Sequence, residues 1–265
     1  MEMLPDWDRL RRLTASVPRT GPTYSTNLYA SREQVEGWCA VGGLRTLVSD
    51  GAVLFVRADR GFQRVYHVAR DMPTLAAALA QLPTGQYVAD LVGRAGELDK
   101  LDAAYASGGF ALHAFLRRMA WTQVPGPAPS GDVVTAVPQD AEAVAAFLER
   151  LLDRFSEKLP ELDELRDAAR EGRLLLVRRN AALAGMLLYD VHGQLAHLRF
   201  WHVDPDAHGG GVGRGLMGSF LSRCAQARRI VLWVIGDNDR SIAIYRHYGF
   251  ETDGLLDHIM IVNKD

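Results

Sequence analysis

Cysteine is nearly absent from this chain: 265 residues contain two, Cys39 and Cys224. Two isolated thiols make no disulfide framework and no metal-ligand cluster, so a reducing compartment is expected. The eight histidines are scattered, with no liganding pair on one helix, and no metal is expected. Excess charge of either sign is also missing. Lys and Arg number 30 against 32 Asp and Glu, a formal net charge of −2, and no basic tract occurs. That balance lacks the footprint of a nucleic-acid binder. No apolar run approaches the ~20 residues that span a bilayer. The opening stretch MEMLPDWDRL carries acids and a proline where a secretion signal has a basic start and an apolar core. No membrane association and a cytoplasmic location are therefore expected. No Gly-Lys-Ser/Thr occurs, which excludes a Walker loop.

What is present reads as globular: 48% hydrophobic and 23% charged residues, with a length that fits two domains. The seam is TQVPGPAPSGD, residues 122–132, where Pro125, Pro127 and Pro129 alternate with small residues. Such a segment sustains neither helix nor central strand and predicts a linker. It divides the chain into residues 1–128 and 129–265. The two sides echo each other. AYASGGF places Gly109-Phe110 four residues after Tyr105, and IYRHYGF places Gly249-Phe250 four residues after Tyr245. Upstream, Tyr66-His67-Val68 matches Trp201-His202-Val203. Order and spacing agree as well as letters, which predicts an internal repeat. The first copy is shorter and lacks the glycine loop of the second. Residues 1–40 look too short for opening helices plus a strand.

In the second half, Asp140 caps a predicted helix that carries Val144, Phe147, Leu151 and Phe155 at helical spacing. RLLLVRR and LAGMLLYDV predict two strands turning at Asn180. QLAHLRFWHV alternates, so Ala196, Leu198 and Phe200 are expected on one face, and His197, Arg199 and Trp201 on the other. The chain then enters His208-Gly209-Gly210-Gly211-Val212-Gly213, followed by an amphipathic helix through Leu216 and Phe220. RIVLWVI predicts a buried strand, so strand, helix and strand make a parallel crossover.

Three glycines before a helix bring main-chain N–H groups close to a phosphate, where the helix dipole favours negative charge. Gly209, Gly211 and Gly213 are expected to keep that approach clear, with Arg214 and Arg240 as outer phosphate contacts. GRGLMG, residues 213–218, satisfies the dinucleotide fingerprint by letter. Those glycines fall inside the helical pattern rather than in the turn after a strand, which argues against it.

The loop after a strand, His208 to Gly213, together with Asn238-Asp239-Arg240-Ser241 leading to Tyr245 and Gly249-Phe250, resembles the signatures of the GNAT superfamily of acyl-CoA-dependent N-acetyltransferases. The resemblance covers residues 132–265, and His208 stands where Gln or Arg is usual. It implies an α/β (α+β) fold of two GNAT-like domains, each a central mixed twisted sheet flanked by helices. Residues 129–265 would be the catalytic domain and 1–128 a degenerate copy without the CoA loop. It implies acetyl-CoA as co-substrate, held by the loop (Gly210 and Val212 included), by the strand edge at Trp201, His202 and Val203, and by Asn238, Arg240 and Ser241. It implies direct attack of an amine on the thioester, with Tyr245 as acid. Tyr245 lies two helical turns after Asn238, on the same face. His197 is the candidate base, since histidine titrates near neutral pH. The expected acceptor is a small-molecule primary amine. The alternatives are a protein N-terminus or lysine, or a non-catalytic acyl-CoA sensor. Monomer and homodimer both remain open.

Overall fold

The computed structural model describes residues 1–19, 23–121 and 132–265. The seam predicted at 122–132 lies almost wholly outside the described residues. In chain order the elements begin with β1 (Glu2–Met3), α1 (Trp7–Ser16), β2 (Ser25–Thr26), α2 (Arg32–Ala40), β3 (Leu44–Ser49), β4 (Ala52–Asp59) and β5 (Phe62–Ala69). They continue with α3 (Met72–Ala80), β6 (Gly85–Gly93), α4 (Ala95–Ser107) and β7 (Ala111–Trp121). After the seam come β8 (Val134–Thr135), α5 (Ala141–Leu151), α6 (Leu162–Arg170), β9 (Leu174–Arg179), β10 (Ala182–His192) and β11 (Leu195–Val203). The rest is α7 (Val212–Arg223), β12 (Arg229–Ile235), α8 (Asp239–His247) and β13 (Glu251–Lys264). Among the described residues no helix is long and apolar enough to cross a membrane.

The chain forms two compact units that interleave in sequence. Unit 1 comprises Met1–Leu116 and Gly254–Asp265, and unit 2 comprises Arg117–Asp253. In unit 1 the strands run in the order β1-β3-β4-β5-β6-β13. β3, β4 and β5 are antiparallel neighbours, β5 and β6 are parallel, and β13 runs antiparallel to β6 from Leu256↔Gly93 to Lys264↔Gly85. Both faces are covered, as the period of two in β4 requires. Ala52, Leu54 and Val56 pack toward α3 and α4, while Val53 and Phe55 pack toward α1 and α2. Residues 1–40, expected to be too few, hold β1, α1, β2 and α2. Two helices of 10 and 9 residues and strands of 2 residues fit where longer elements would not.

Unit 2 repeats this plan. Its strand order is β8-β9-β10-β11-β12, followed by β7, of which residues 117–121 belong to this unit. β9, β10 and β11 are antiparallel, and β11 and β12 are parallel. Leu175, Leu187, Leu198, Leu216 and Phe220 make the core under α7, with Ile242 and Tyr245 of α8. Leu174, Met186, Leu188, Val144 and Leu165 make the core under α5 and α6. The hairpin turn falls at Asn180 as predicted, with φ of 51° there and 65° at Ala181.

Two local expectations differ. The helix expected from Asp140 through Phe155 ends at Leu151. The Asp153 carboxylate accepts hydrogen bonds from the Phe155 and Ser156 N–H groups and the Ser156 hydroxyl, and this turn competes with helix. Asp140 gives α5 no side-chain cap; it accepts instead from the Val137 N–H and from Arg178.

Candidate active site

The site of unit 2 begins with a defect in β11. On β10, Leu188 faces Phe200 but the next residue, Tyr189, faces Leu198, so Arg199 is an extra residue. Such a bulge resets the alternation of faces. Ala196, Leu198, Trp201 and Val203 therefore pack on the α7 side, while Phe200 packs on the α5–α6 side. The expected grouping of Phe200 with Ala196 and Leu198, and of Trp201 with His197, is corrected by this one residue. The ladder to β12 also stops here. It runs from Leu195↔Arg229 to Leu198↔Leu232, while the strands continue to Val203 and Ile235. The strands splay, and the backbone edge of β11 from Trp201 onward is left open toward β12.

A cavity of about 590 Å³ lies in that region. The strand contributes Trp201, His202 and Val203. The glycine turn contributes His208, Gly209, Gly211, Val212, Gly213 and Arg214. Helix α8 contributes Asn238, Arg240, Ser241 and Tyr245. The structure thus brings together every predicted cofactor residue except Gly210, which does not line the cavity. Gly209 and Gly211 adopt φ of 80° and 75°, and a Cβ on either would meet no atom within 4 Å. Glycine is needed there for the backbone, and the space beside it is open. Gly213 also has a packing role. Its Cβ would sit 3.3 Å from Trp201 and Val203, so it sets the close approach of α7 to β11. Gly185 on β10 serves the same packing: a Cβ there would come within 2.7 Å of Val212.

The first helical bond of α7 runs from the Gly215 N–H to the Gly211 carbonyl. The N–H groups of Val212, Gly213 and Arg214 precede that ladder and face the loop end, an anion-binding arrangement. Residues 213–218 all lie within α7, as expected of a chain without the dinucleotide fingerprint. Arg214 and Arg240 are exposed on the cavity wall. Asn238 caps α8 by accepting from the Ser241 N–H at 3.0 Å. Tyr245 is buried, its ring 5.5 Å from Trp201 and edge-on to Phe250 at 5.9 Å. Burial, and then the charge of Glu157, push its phenol above the ordinary value, so it carries its proton. Among the described residues the buried Trp201 Nε1 has no hydrogen-bond partner, and it is a donor that can face a ligand.

A second cavity of about 340 Å³ shares Trp201, His202, Asn238, Ser241 and Tyr245 with the first. Its other wall carries Asp153, Ser156 and Glu157 from the turn after α5, and Arg199 at the bulge. Glu157 is pushed up to about 7, chiefly by burial and then by Asp153. His202 is pushed down to about 4 by burial, so its ring is neutral. Arg199 is already held by Glu164 and Asp190. Asp153 falls inside the helix expected from Asp140 through Phe155 and Glu157 just beyond it, so neither is singled out from the sequence. The signal was the Asp-x-x-Ser spacing of a turn.

His197 lies outside the lining of both cavities. It sits mid-strand, paired with Asp190 and Val231, and burial with Arg199 beside it brings it down to about 4. Among the described residues no group of His, Cys, Asp and Glu is placed to hold a metal.

Residues 142–250 match the family described as "Acetyltransferase (GNAT) family". Over 137 residues the chain is 34% identical to a mycothiol acetyltransferase of Saccharomonospora viridis, covering 44% of this chain and 45% of that protein. The chain thus spans less than half the length of this relative. A GCN5-related N-acetyltransferase from Sphaerobacter thermophilus superposes with a TM-score of 0.61 at 17% identity, covering 88% of this chain and 86% of the other. A tandem GNAT protein from the clavulanic acid biosynthesis pathway gives 0.52 at 16% identity, covering 80% and 78%. These two likenesses concern the fold. The family likeness thus lies in residues 142–250, which are similar to the acetyltransferase (GNAT) family.

Proposed function

We propose that this chain is an acetyl-CoA-dependent N-acetyltransferase acting on the primary amine of a small molecule, in the reducing setting of the cytoplasm. The observation that carries this reading is the convergence on one cavity of a helix N-terminus, a free strand edge and a buried tyrosine. These residues fit the co-substrate. The N–H groups opening α7, with Arg214 and Arg240, suit its phosphates. The open edge at Trp201–Val203 and the Asn238 side suit an amide-bearing arm. Acetyl-CoA supplies the acetyl group and the thiol leaving group. Tyr245 protonates the departing thiolate, for which a phenol kept fully protonated is suited. The confined second cavity, about 340 Å³, supports a compact acceptor over a protein surface. In this reading unit 1 is a degenerate copy that takes no acyl-CoA.

Thermal unfolding with acetyl-CoA, CoA and NAD in parallel tests the reading. A ligand at 100 times its Kd adds about 2.7 kcal/mol of stability. A rise with acetyl-CoA and CoA but not with NAD is expected. The absence of a shift with acetyl-CoA overturns it.

A further inference from the structure

We propose that Glu157 is the catalytic base of this reaction, and that its carboxylate, beside Asp153 and across from Tyr245, draws in the acceptor amine as a cation and takes its proton. This rests on the acetyl-transfer reading above. The argument is geometric first. Glu157 lines the second cavity, which meets the first at Trp201, His202 and Tyr245. An acceptor seated there reaches the place where strand edge and tyrosine converge. Asp153 is a fixed anion, held by two N–H groups and a hydroxyl of its own turn, while the Glu157 N–H donates to the Asp153 carbonyl at 3.0 Å. Among the described residues lining this cavity, the titratable and charged groups beside Glu157 are Asp153 from its own turn, Arg199 and His202 from β11, and Tyr245 from α8. Arg199 is paired with Glu164 and Asp190, which leaves Asp153 and Glu157 as the acidic wall of this cavity. That wall suits a small primary amine entering as its ammonium form.

The rival bases are weaker. His202 and His197 are both brought down to about 4, whereas Glu157 near 7 is matched to proton transfer at neutral pH. Glu157 takes the first proton as the ammonium N–H bond breaks, and releases it to solvent. The freed lone pair forms the C–N bond to the thioester carbonyl, and the C–S bond breaks. Tyr245 gives its proton to the thiolate, and the second N–H proton of the adduct replaces it. Ammonium and thioester become amide, thiol and one released proton.

The test uses the full chain with acetyl-CoA and a panel of amino acids, aminosugars and diamines, following thiol release. Glu157→Gln is expected to bind acetyl-CoA like wild type in calorimetry. Its kcat falls about 10²-fold or more. Wild-type kcat rises with pH through about 7, the region set for Glu157, and the variant loses that rise. Asp153→Asn removes a like charge, so the midpoint of the pH profile moves to lower pH. Glu157→Gln turning over at the wild-type rate with an unchanged midpoint overturns the assignment and leaves acetyl transfer standing. Loss of acetyl-CoA binding in that variant gives Glu157 a structural role and also overturns it. A wild type that binds acetyl-CoA yet acetylates none of these amines overturns the acceptor class. A wild type that does not bind acetyl-CoA overturns the underlying reading.

Discussion

The two units share a strand order and differ in what fills the gap between their two parallel strands. In unit 2 the gap between β11 and β12 opens on a cavity. In unit 1 the ladder between β5 and β6 is also short, from Gln63↔Tyr87 to Arg64↔Val88, but the chain itself occupies the gap. β2 pairs with β5 at Ser25↔Ala69 and Thr26↔Val68. The Asn27 amide donates to the carbonyls of Val65 at 3.2 Å and Asp90 at 3.1 Å, and accepts from the His67 N–H at 2.6 Å. His67, fully buried and pushed down to about 3, bonds Ser25 on one ring nitrogen and Tyr105 on the other, each at 3.0 Å. The helix end is closed too. Where α7 opens on Gly211, α3 opens on Asp71, whose carboxylate caps the Thr74 N–H and would repel a phosphate. The lesson is that a site is polar backbone left unsatisfied. Unit 1 satisfies the same groups internally.

Five substitutions probe that contrast, beginning with the largest effect. Arg64 is 2% exposed between Asp59 and Asp90, so Arg64→Met removes a buried ion pair from each carboxylate, Asp59 keeping Arg57. It is expected to cost about 3–5 kcal/mol in denaturant unfolding. Arg199→Met, at a partly solvated network in unit 2, is expected to cost about 1 kcal/mol or less; equal costs would erase the distinction. The tyrosines come next. Tyr245→Phe is expected to lower kcat about 10²-fold with little change in stability. Tyr105→Phe strands His67 and costs about 1 kcal/mol of stability with activity intact. A swap of these two outcomes would break the comparison. The smallest effect is expected at Asp71→Ala, which removes a cap worth about 1 kcal/mol. It should create no second acetyl-CoA site by calorimetry, because Asn27 still fills the gap.

The glycine turn, the helices around it and the residues of the first cavity were legible because each follows from local backbone chemistry. Gly209 and Gly211 need positive φ, and Asn238 is a helix cap. The bulge at Arg199 was not legible. Nothing in a strict period of two marks where one residue is inserted. Its effect reaches the repeat itself. Tyr66-His67-Val68 and Trp201-His202-Val203 match by letter, yet His67 meets Tyr105 in unit 1 while Trp201 meets Tyr245 in unit 2. β5 pairs with β4 in unbroken register, so the letters align and the faces do not. Glu157 was hidden for another reason: an Asx turn broke a helix whose apolar spacing ran on.

The placement of β13 in unit 1 has a consequence for how the protein is made. β6 finds its antiparallel partner only when residues beyond 254 exist. During synthesis the first unit must therefore wait, its sheet edge unpaired, while all of the second unit is translated. An unpaired edge is a template for wrong association. Slow, long-range closure of this kind predicts that truncation near the C-terminus harms the N-terminal unit first.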